Sequence, residues 1–413
     1  MFPERGAGQL IFDVLVIGGG MAGLAAAADL SRRGRRVLVV RKGYGATALS
    51  SGAIDFSCGI PAPPEAESAA LLSMLSGAGL PVEIKKEGGF TLCDQTGRVR
   101  TAACAQFTMA RADLGGLAGK RVTLVGILGY GGFNTGFLSR VLSERCGAAS
   151  IEKIEADLPG GHGKQEITGP EAAHLLQHPG SAALLAKNIS ERTGAAGGDL
   201  LVFPPVLGIS GMPQIVADLE ARTGRQVAEL PAAVPSLPGL RLQEAMERAC
   251  RQPGVQIQKG EVIGLEGDNG TLLGARAAGG GRIYTLSCKA VIMAGGKFIG
   301  GGLKSVNRTL LEPLLNLPLY LGSERVDGIP LQRLLRDGVA GPQPAFAAGI
   351  AVDQSMRPLD ITGRPARVNL FAAGSIIGSL PGARGLPGLG DAFLSGIRAA
   401  AAVDRYLAGG DHS

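Results

Sequence analysis

Three glycines set the first chemical question. Gly18, Gly20 and Gly23 lie in FDVLVIGGGMAGLAAAADLSRRGRRVLVVRKG, residues 12–43, and satisfy G-x-G-x-x-G. The first glycine permits a tight turn, the second lets a pyrophosphate approach the backbone, and the third lets helix and strand pack closely. Phosphate is the group such a turn can hold, because N–H groups at the start of the following helix point at it. Ile17, Gly18, Gly20, Met21, Ala22 and Gly23 are therefore candidate cofactor contacts. Arg41 and Lys42 come next, at the end of the second strand, where an acid ordinarily holds a ribose. An ionised acid accepts hydrogen bonds from ribose hydroxyls, whereas a guanidinium only donates. Three readings stay open: a mononucleotide with no adenosine to clamp, a dinucleotide held by other groups, or a phosphate facing Arg41.

Four further segments carry residues that could line the same site. GATALSSGAIDF (45–56) offers Ser50 and Ser51 as hydroxyl donors and Gly52 as a place for a ring to approach. Such a Ser/Gly turn after the second strand resembles the one that disulfide-reductase and fumarate-reductase-type flavoproteins place against their cofactor. KAVIMAGGKF (289–298), with Ala294, Gly295 and Gly296, resembles a strand end of those proteins. VNLFAAGS (368–375), with Gly374 and Ser375, resembles their last flavin-domain strand, and GLPGLGDAFLSGIRAA (385–400) resembles the turn and helix that follow. By that likeness the N–H groups at Gly390 and Asp391 face a flavin edge, where a positive helix end stabilises the anionic reduced ring. Asp391 reads equally as a helix cap. No histidine lies in 45–56, so a covalent histidyl linkage is not available there.

The elements that must position these residues follow from the pattern. Residues 14–17 read as a buried strand, 22–33 as an alanine-rich helix stopped by Gly34, and 37–40 as the next parallel strand. Proline-rich segments at 61–67 and 230–240 mark an exit and a return. Between them, 121–127 reads as a strand, 133–144 as a helix, and 199–209 contains another strand. After the return come a helix near 242–251, strands near 255–258, 262–265, 272–277, 290–293 and 369–372, and a helix near 392–407. The expected fold class is α/β: a discontinuous Rossmann-like flavin-binding domain, 1–60 and 236–413, with an inserted α/β cap domain, 61–235.

Composition narrows the function class. The chain has 413 residues, 45% of them hydrophobic and 18% charged, enough to bury a large core. Its +6 net charge is scattered without a run of five basic residues, and it has no Trp and 4% aromatics, which disfavours nucleic acid. The six cysteines, Cys58, Cys93, Cys104, Cys146, Cys250 and Cys288, form no C-x-x-C pair, so a metal or iron–sulfur site is disfavoured and a reducing cytoplasm fits. The apolar run 14–28 is shorter than the ~18 residues a membrane span needs, and no transmembrane helix is expected.

Taken in order, SSGAIDF, VTLVGILGYGGF, PAAVPSLPGLRLQEAMER and VNLFAAGSIIGS resemble the B subunits of anaerobic glycerol-3-phosphate dehydrogenases over nearly the whole chain. The resemblance implies a membrane-associated complex with an FAD-containing A subunit and an iron–sulfur C subunit that attaches it to the inner face of the cell membrane. It implies oxidation of sn-glycerol 3-phosphate to dihydroxyacetone phosphate, with electrons passed to quinone through a partner. FMN is the expected cofactor by this likeness, and FAD the alternative because the turn is shaped for a pyrophosphate. The substrate phosphate would need a cation, for which Arg384 and Lys297 are the candidates. The alcohol would need a base. His162, His174 and His178 fall in the middle segment and His412 in the tail, so a subunit that relays electrons is expected. Competing readings are a stand-alone fumarate-reductase-type flavin oxidoreductase and a docking subunit with a degenerate flavin site.

Overall fold

The computed structural model describes residues 11–56, 65–160, 166–193, 198–251, 254–268, 270–337, 343–378 and 388–409. Cys58, His162, Arg384 and His412 lie outside the described residues. The chain forms two compact α/β units, one of Met1–Ala46, Phe56–Ile60 and Met246–Ser413, the other of Thr47–Asp55 and Pro61–Ala245. The first unit opens with β1 (Ile11–Ile17), α1 (Met21–Arg32) and β2 (Val37–Arg41). β1 and β2 pair in parallel from Val14↔Val37 to Ile17↔Val40. Over those paired residues both strands are apolar, as a parallel strand inside a sheet is covered on both faces, and Val14, Val16, Val37 and Val39 are fully buried.

The chain then enters the second unit earlier than the prolines suggest. The bridge Ile54↔Cys104 ties Thr47–Asp55 to it, and Gly239 packs on the carbonyls of Thr47, Ala48 and Ser50. Its parallel sheet contains β3 (Arg121–Ile127), followed by α2 (Thr135–Ser143), then β4 (Ser150–Ala156), β5 (Leu200–Phe203) and β6 (Gln226–Glu229), in the order β6-β5-β3-β4. Val122, Leu124, Leu138, Leu142, Leu200 and Val202 form its core. Inside it, Arg241 at the start of α3 (Leu237–Ala249) meets Glu229 through two contacts of 2.6 and 2.8 Å, both side chains fully buried. The return to the first unit falls inside α3, at Ala245/Met246, rather than at residue 236.

Back in the first unit come β7 (Val255–Lys259), β8 (Glu261–Asp268), β9 (Thr271–Gly279), β10 (Arg282–Met293), β11 (Leu370–Ala372) and α4 (Leu389–Leu407). The sheet order is β7-β2-β1-β10-β9-β8, with β11 also on β10. β10 serves two partners along its length. Its first half runs antiparallel to β9, and its second half parallel to β1 and β11. Asn369 fixes that junction: its amide nitrogen donates to the carbonyls of Leu272 and Lys289, both at 2.7 Å, and its oxygen accepts from the Leu272 N–H. β1 has β2 on one side and β10 on the other, so a topological switch point lies between β1 and β10, where α/β sheets bind ligands.

Candidate cofactor site

The glycine turn is packed so tightly that side chains are excluded. Gly18 has φ +117°, and a Cβ there would fall 2.2 Å from the Ala294 carbonyl oxygen. A Cβ on Gly23 would fall 2.0 Å from the Gly18 oxygen. The Ala294 N–H donates to the Ile17 carbonyl at 2.8 Å, locking the ends of β1 and β10 together. Gly20 is the N-cap of α1; no side chain caps that end and no acid lies in its first turn. A helix start without an acid or cap side chain is where an anion is accommodated.

Arg41 lies across this turn. A Cβ on Gly19 would be 2.5 Å from Arg41 Cδ, so the arginine stem occupies the space beside Gly19. Its Nη2 is 3.0 Å from Glu247 Oε2, and its guanidinium sits 5.0 Å from the Tyr44 ring centre. Glu247 thus answers the charge of Arg41, which removes the need for a phosphate there. Lys42 points elsewhere, to Glu261 at 2.9 Å. Lys304 reaches the other oxygen of Glu261 at 3.3 Å. The Lys42 ammonium, and then Lys304, hold the Glu261 carboxyl below its ordinary range against a small desolvation cost.

The other expected residues divide into those brought to the turn and those that are not. Gly374 (φ +78°) meets Ala22, with a would-be Cβ 2.8 Å from the alanine methyl, and a Cβ on Gly296 would lie 3.5 Å from Ser375 Oγ. The Gly374 N–H donates to Ser395 Oγ at 2.8 Å. Gly295 packs on Gly302, and Gly300 on the Gly295 carbonyl, so the loop after β10 folds back on itself through bare backbone. The bends at Gly18–Gly23, Ala294–Gly296 and Gly374–Ser375 therefore meet. A Cβ on Gly390 would strike the Phe56 ring at 2.4 Å, and Asp391, fully buried, accepts from the Gly388 N–H at 2.7 Å as a cap on α4.

Ser50, Ser51 and Gly52 belong to the second unit. Ser50 Oγ donates to the Thr47 carbonyl at 2.7 Å. The space beside Gly52, expected from the sequence to admit a ring, is taken by Pro238 and Gln106, whose atoms lie 2.3 and 2.8 Å from a would-be Cβ. Lys297 is half-buried, its ammonium donating to the Ala348 carbonyl. Burial alone pulls its pKa down to about 8. His174 and His178 stack edge-to-face at 4.9 Å in the second unit, with His178 beyond the helix end at Leu176.

A cavity of about 180 Å³ opens beside Gly18. That is below the ~300–1,000 Å³ of sites that take a whole drug-sized ligand, and suits one end of an extended one. Its walls include Ile17, Gly18, Val40, Lys42, Met293 and Gly295. Sequence reasoning missed Val40 and Met293 among these, and all the remaining walls, at 260–263, 300–302, 304, 312–314 and Ile376. The run Gly300-Gly301-Gly302 was the available signal, since bare backbone next to a motif turn marks close approach. The bare cradle at Gly18 and Gly23, the α1 start and the cavity fit a phosphate-linked nucleotide cofactor.

The family described as "FAD binding domain" matches residues 13–80 and 144–390, and the chain belongs to it. The chain is 26% identical over 404 residues to the B subunit of anaerobic glycerol-3-phosphate dehydrogenase from Yersinia pestis bv. Antiqua (strain Antiqua), covering 89% of this chain and 92% of that protein. It is 25% identical to the protein of the same name from Pectobacterium carotovorum subsp. carotovorum (strain PC1), covering 94% and 97%. Among solved structures, 3-ketosteroid Δ1-dehydrogenase from Sterolibacterium denitrificans aligns with 14% identity and a TM-score of 0.42 over 96% of this chain and 100% of that one.

Proposed function

We propose that this member of the FAD-binding-domain family is the flavin-carrying B-type subunit of an anaerobic glycerol-3-phosphate dehydrogenase complex. It would work with an FAD-containing and an iron–sulfur subunit. The observation that carries the reading is the meeting of the Gly18–Gly23, Ala294–Gly296 and Gly374–Ser375 bends at the switch point of a parallel sheet, in a chain similar to B subunits over most of its length. A bound flavin supplies a two-electron acceptor that can pass electrons on singly. The chain's own part is to bind and orient it. The α1 start holds phosphate, and the backbone turns bring main-chain N–H groups close without side chains in the way.

FAD is preferred here over the FMN expected from the resemblance. The support is the cavity beside Gly18, which offers room for a further fragment past the turn, and the G-x-G-x-x-G spacing itself. No described histidine lies in the first unit, which supports electron relay over substrate oxidation within this chain. Among the described residues no helix is long and apolar enough to cross a membrane, so attachment to the inner face of the membrane and transfer to quinone are assigned to partners.

A second reading, a docking subunit without flavin, is favoured by one observation: Arg41 occupies the space beside Gly19. Heat release of the cofactor and identification by mass separates these readings. FAD is expected; FMN would restore the sequence preference, and a colourless protein would leave the docking reading. For the relay role, anaerobic addition of sn-glycerol 3-phosphate should bleach the flavin band only when the partner subunits are present. Bleaching of the isolated chain would overturn it.

A further inference from the structure

Two acids line the cavity beside Gly18, Glu312 and Glu261, and they differ in what they have left to offer. Glu312 is spent on its own turn: its oxygens accept the N–H groups of Leu314 and Leu315 at 2.8 Å and of Leu317 at 3.5 Å, and it is buried. Glu261 opens β8 and remains partly exposed, its side chain at 35%. It is held by Lys42 at 2.9 Å and Lys304 at 3.3 Å, one ammonium on each oxygen. A carboxylate has about four acceptor positions, so each oxygen keeps capacity for a hydroxyl.

Its place in the fold is the telling point. The N–H of Gly260, the residue before it, donates to the Arg41 carbonyl at 2.9 Å. Glu261 is therefore tied to the strand end where turns of this kind carry a ribose-binding acid. Arg41, which holds that sequence position, faces Glu247 instead. The geometry points to Glu261 as the carboxylate that accepts the adenosine ribose hydroxyls of a bound FAD, with Lys42 and Lys304 as positioning residues that fix it at the cavity wall. The acid has moved from the end of β2 to the start of β8. This rests on the FAD reading above and names the residue that decides between FAD and FMN.

The test uses the full chain stripped of flavin, as wild type, Glu261→Ala and the volume-preserving Glu261→Gln. Binding of FAD, FMN, ADP and 2′,3′-dideoxy-ADP is measured by fluorescence and calorimetry. Loss of a hydrogen bond to a charged group predicts that Glu261→Ala weakens FAD and ADP about tenfold or more, with FMN unchanged. Wild type should prefer ADP over the dideoxy compound, and that preference should vanish in Glu261→Ala. An equal loss for FMN and FAD, or a ribose preference that survives in both variants, overturns the assignment. Wild type that binds FAD with both variants unchanged overturns Glu261 alone. Wild type that binds FMN but not FAD removes the adenosine and with it this assignment, and wild type that binds neither overturns the flavin reading as well.

Discussion

At Gly23 the third glycine of the turn leaves no room for a methyl group, because the Gly18 carbonyl oxygen lies 2.0 Å from where a Cβ would stand. That neighbour is backbone and cannot rotate away. Gly23→Ala should therefore cost ~1–3 kcal/mol through overpacking and abolish flavin retention, read by urea denaturation and by absorbance of the purified protein. Lys297 gives a prediction in pH. Folded, its amine is held to about 8 by burial, against 10.5 when unfolded. Below pH 8 it is charged in both states and the burial penalty is felt in full. Between about 8 and 10.5 the unfolded chain binds the extra proton, so this residue makes stability rise with pH through that window, by at most ~1.4 kcal/mol per pH unit. Denaturation midpoints of wild type and Lys297→Met at pH 7 to 10 should diverge most at pH 7 and converge toward pH 10. The motif residues were legible because glycine spacing has few physical causes. Glu261 and Glu247 were not, because each gains its meaning from an ion pair with a residue far away in sequence, Lys42 and Arg41 respectively.

At the scale of elements, legibility followed burial. The strand read at 121–127 is β3, and the reading 37–40 is β2 without its last residue, since both are buried along nearly their whole length and so are mostly apolar. The reading 290–293 caught only the end of β10, which runs from Arg282. The rest of β10 is a half-exposed ribbon against β9, so its apolar residues alternate and do not form a run. Short strands at Val82–Ile84, Phe90–Cys93 and Val99–Ala102 escaped because three or four residues are too few to show a period, and the first and last of them also have exposed positions. The join between α3 and the parallel sheet rests on Arg241 and Glu229, both fully buried. Glu229 also takes the N–H of Leu207 at 2.8 Å. Breaking such a pair from one side leaves a buried charge, at a cost of ~3–5 kcal/mol, whereas replacing both sides by apolar groups is far cheaper. Arg241→Met should show that loss in chemical denaturation, and Arg241→Met with Glu229→Leu should recover most of it.

At the scale of the whole molecule, the order of the chain separates binding from folding. β1 and β2 come first, yet the shelf under Gly18 is Ala294 and the wall beside Ala22 is Gly374, from the last third of the sequence. The first unit therefore cannot assemble its turn until β10 and β11 exist, whereas the second unit lies wholly within one continuous stretch, with only Phe56–Ile60 assigned elsewhere. That stretch has its own parallel sheet, its own apolar core and its own buried ion pair. A fragment of residues 47–249, which keeps all of α3, should express alone, unfold cooperatively in urea and be colourless. With about a hundredfold excess of flavin over its dissociation constant, the full chain should gain ~2.7 kcal/mol by mass action, and the fragment should gain nothing. A fragment that stays unfolded would show that its core depends on the first unit. A fragment that is stabilised by flavin would move the site away from the β1–β10 switch point, because it contains neither strand.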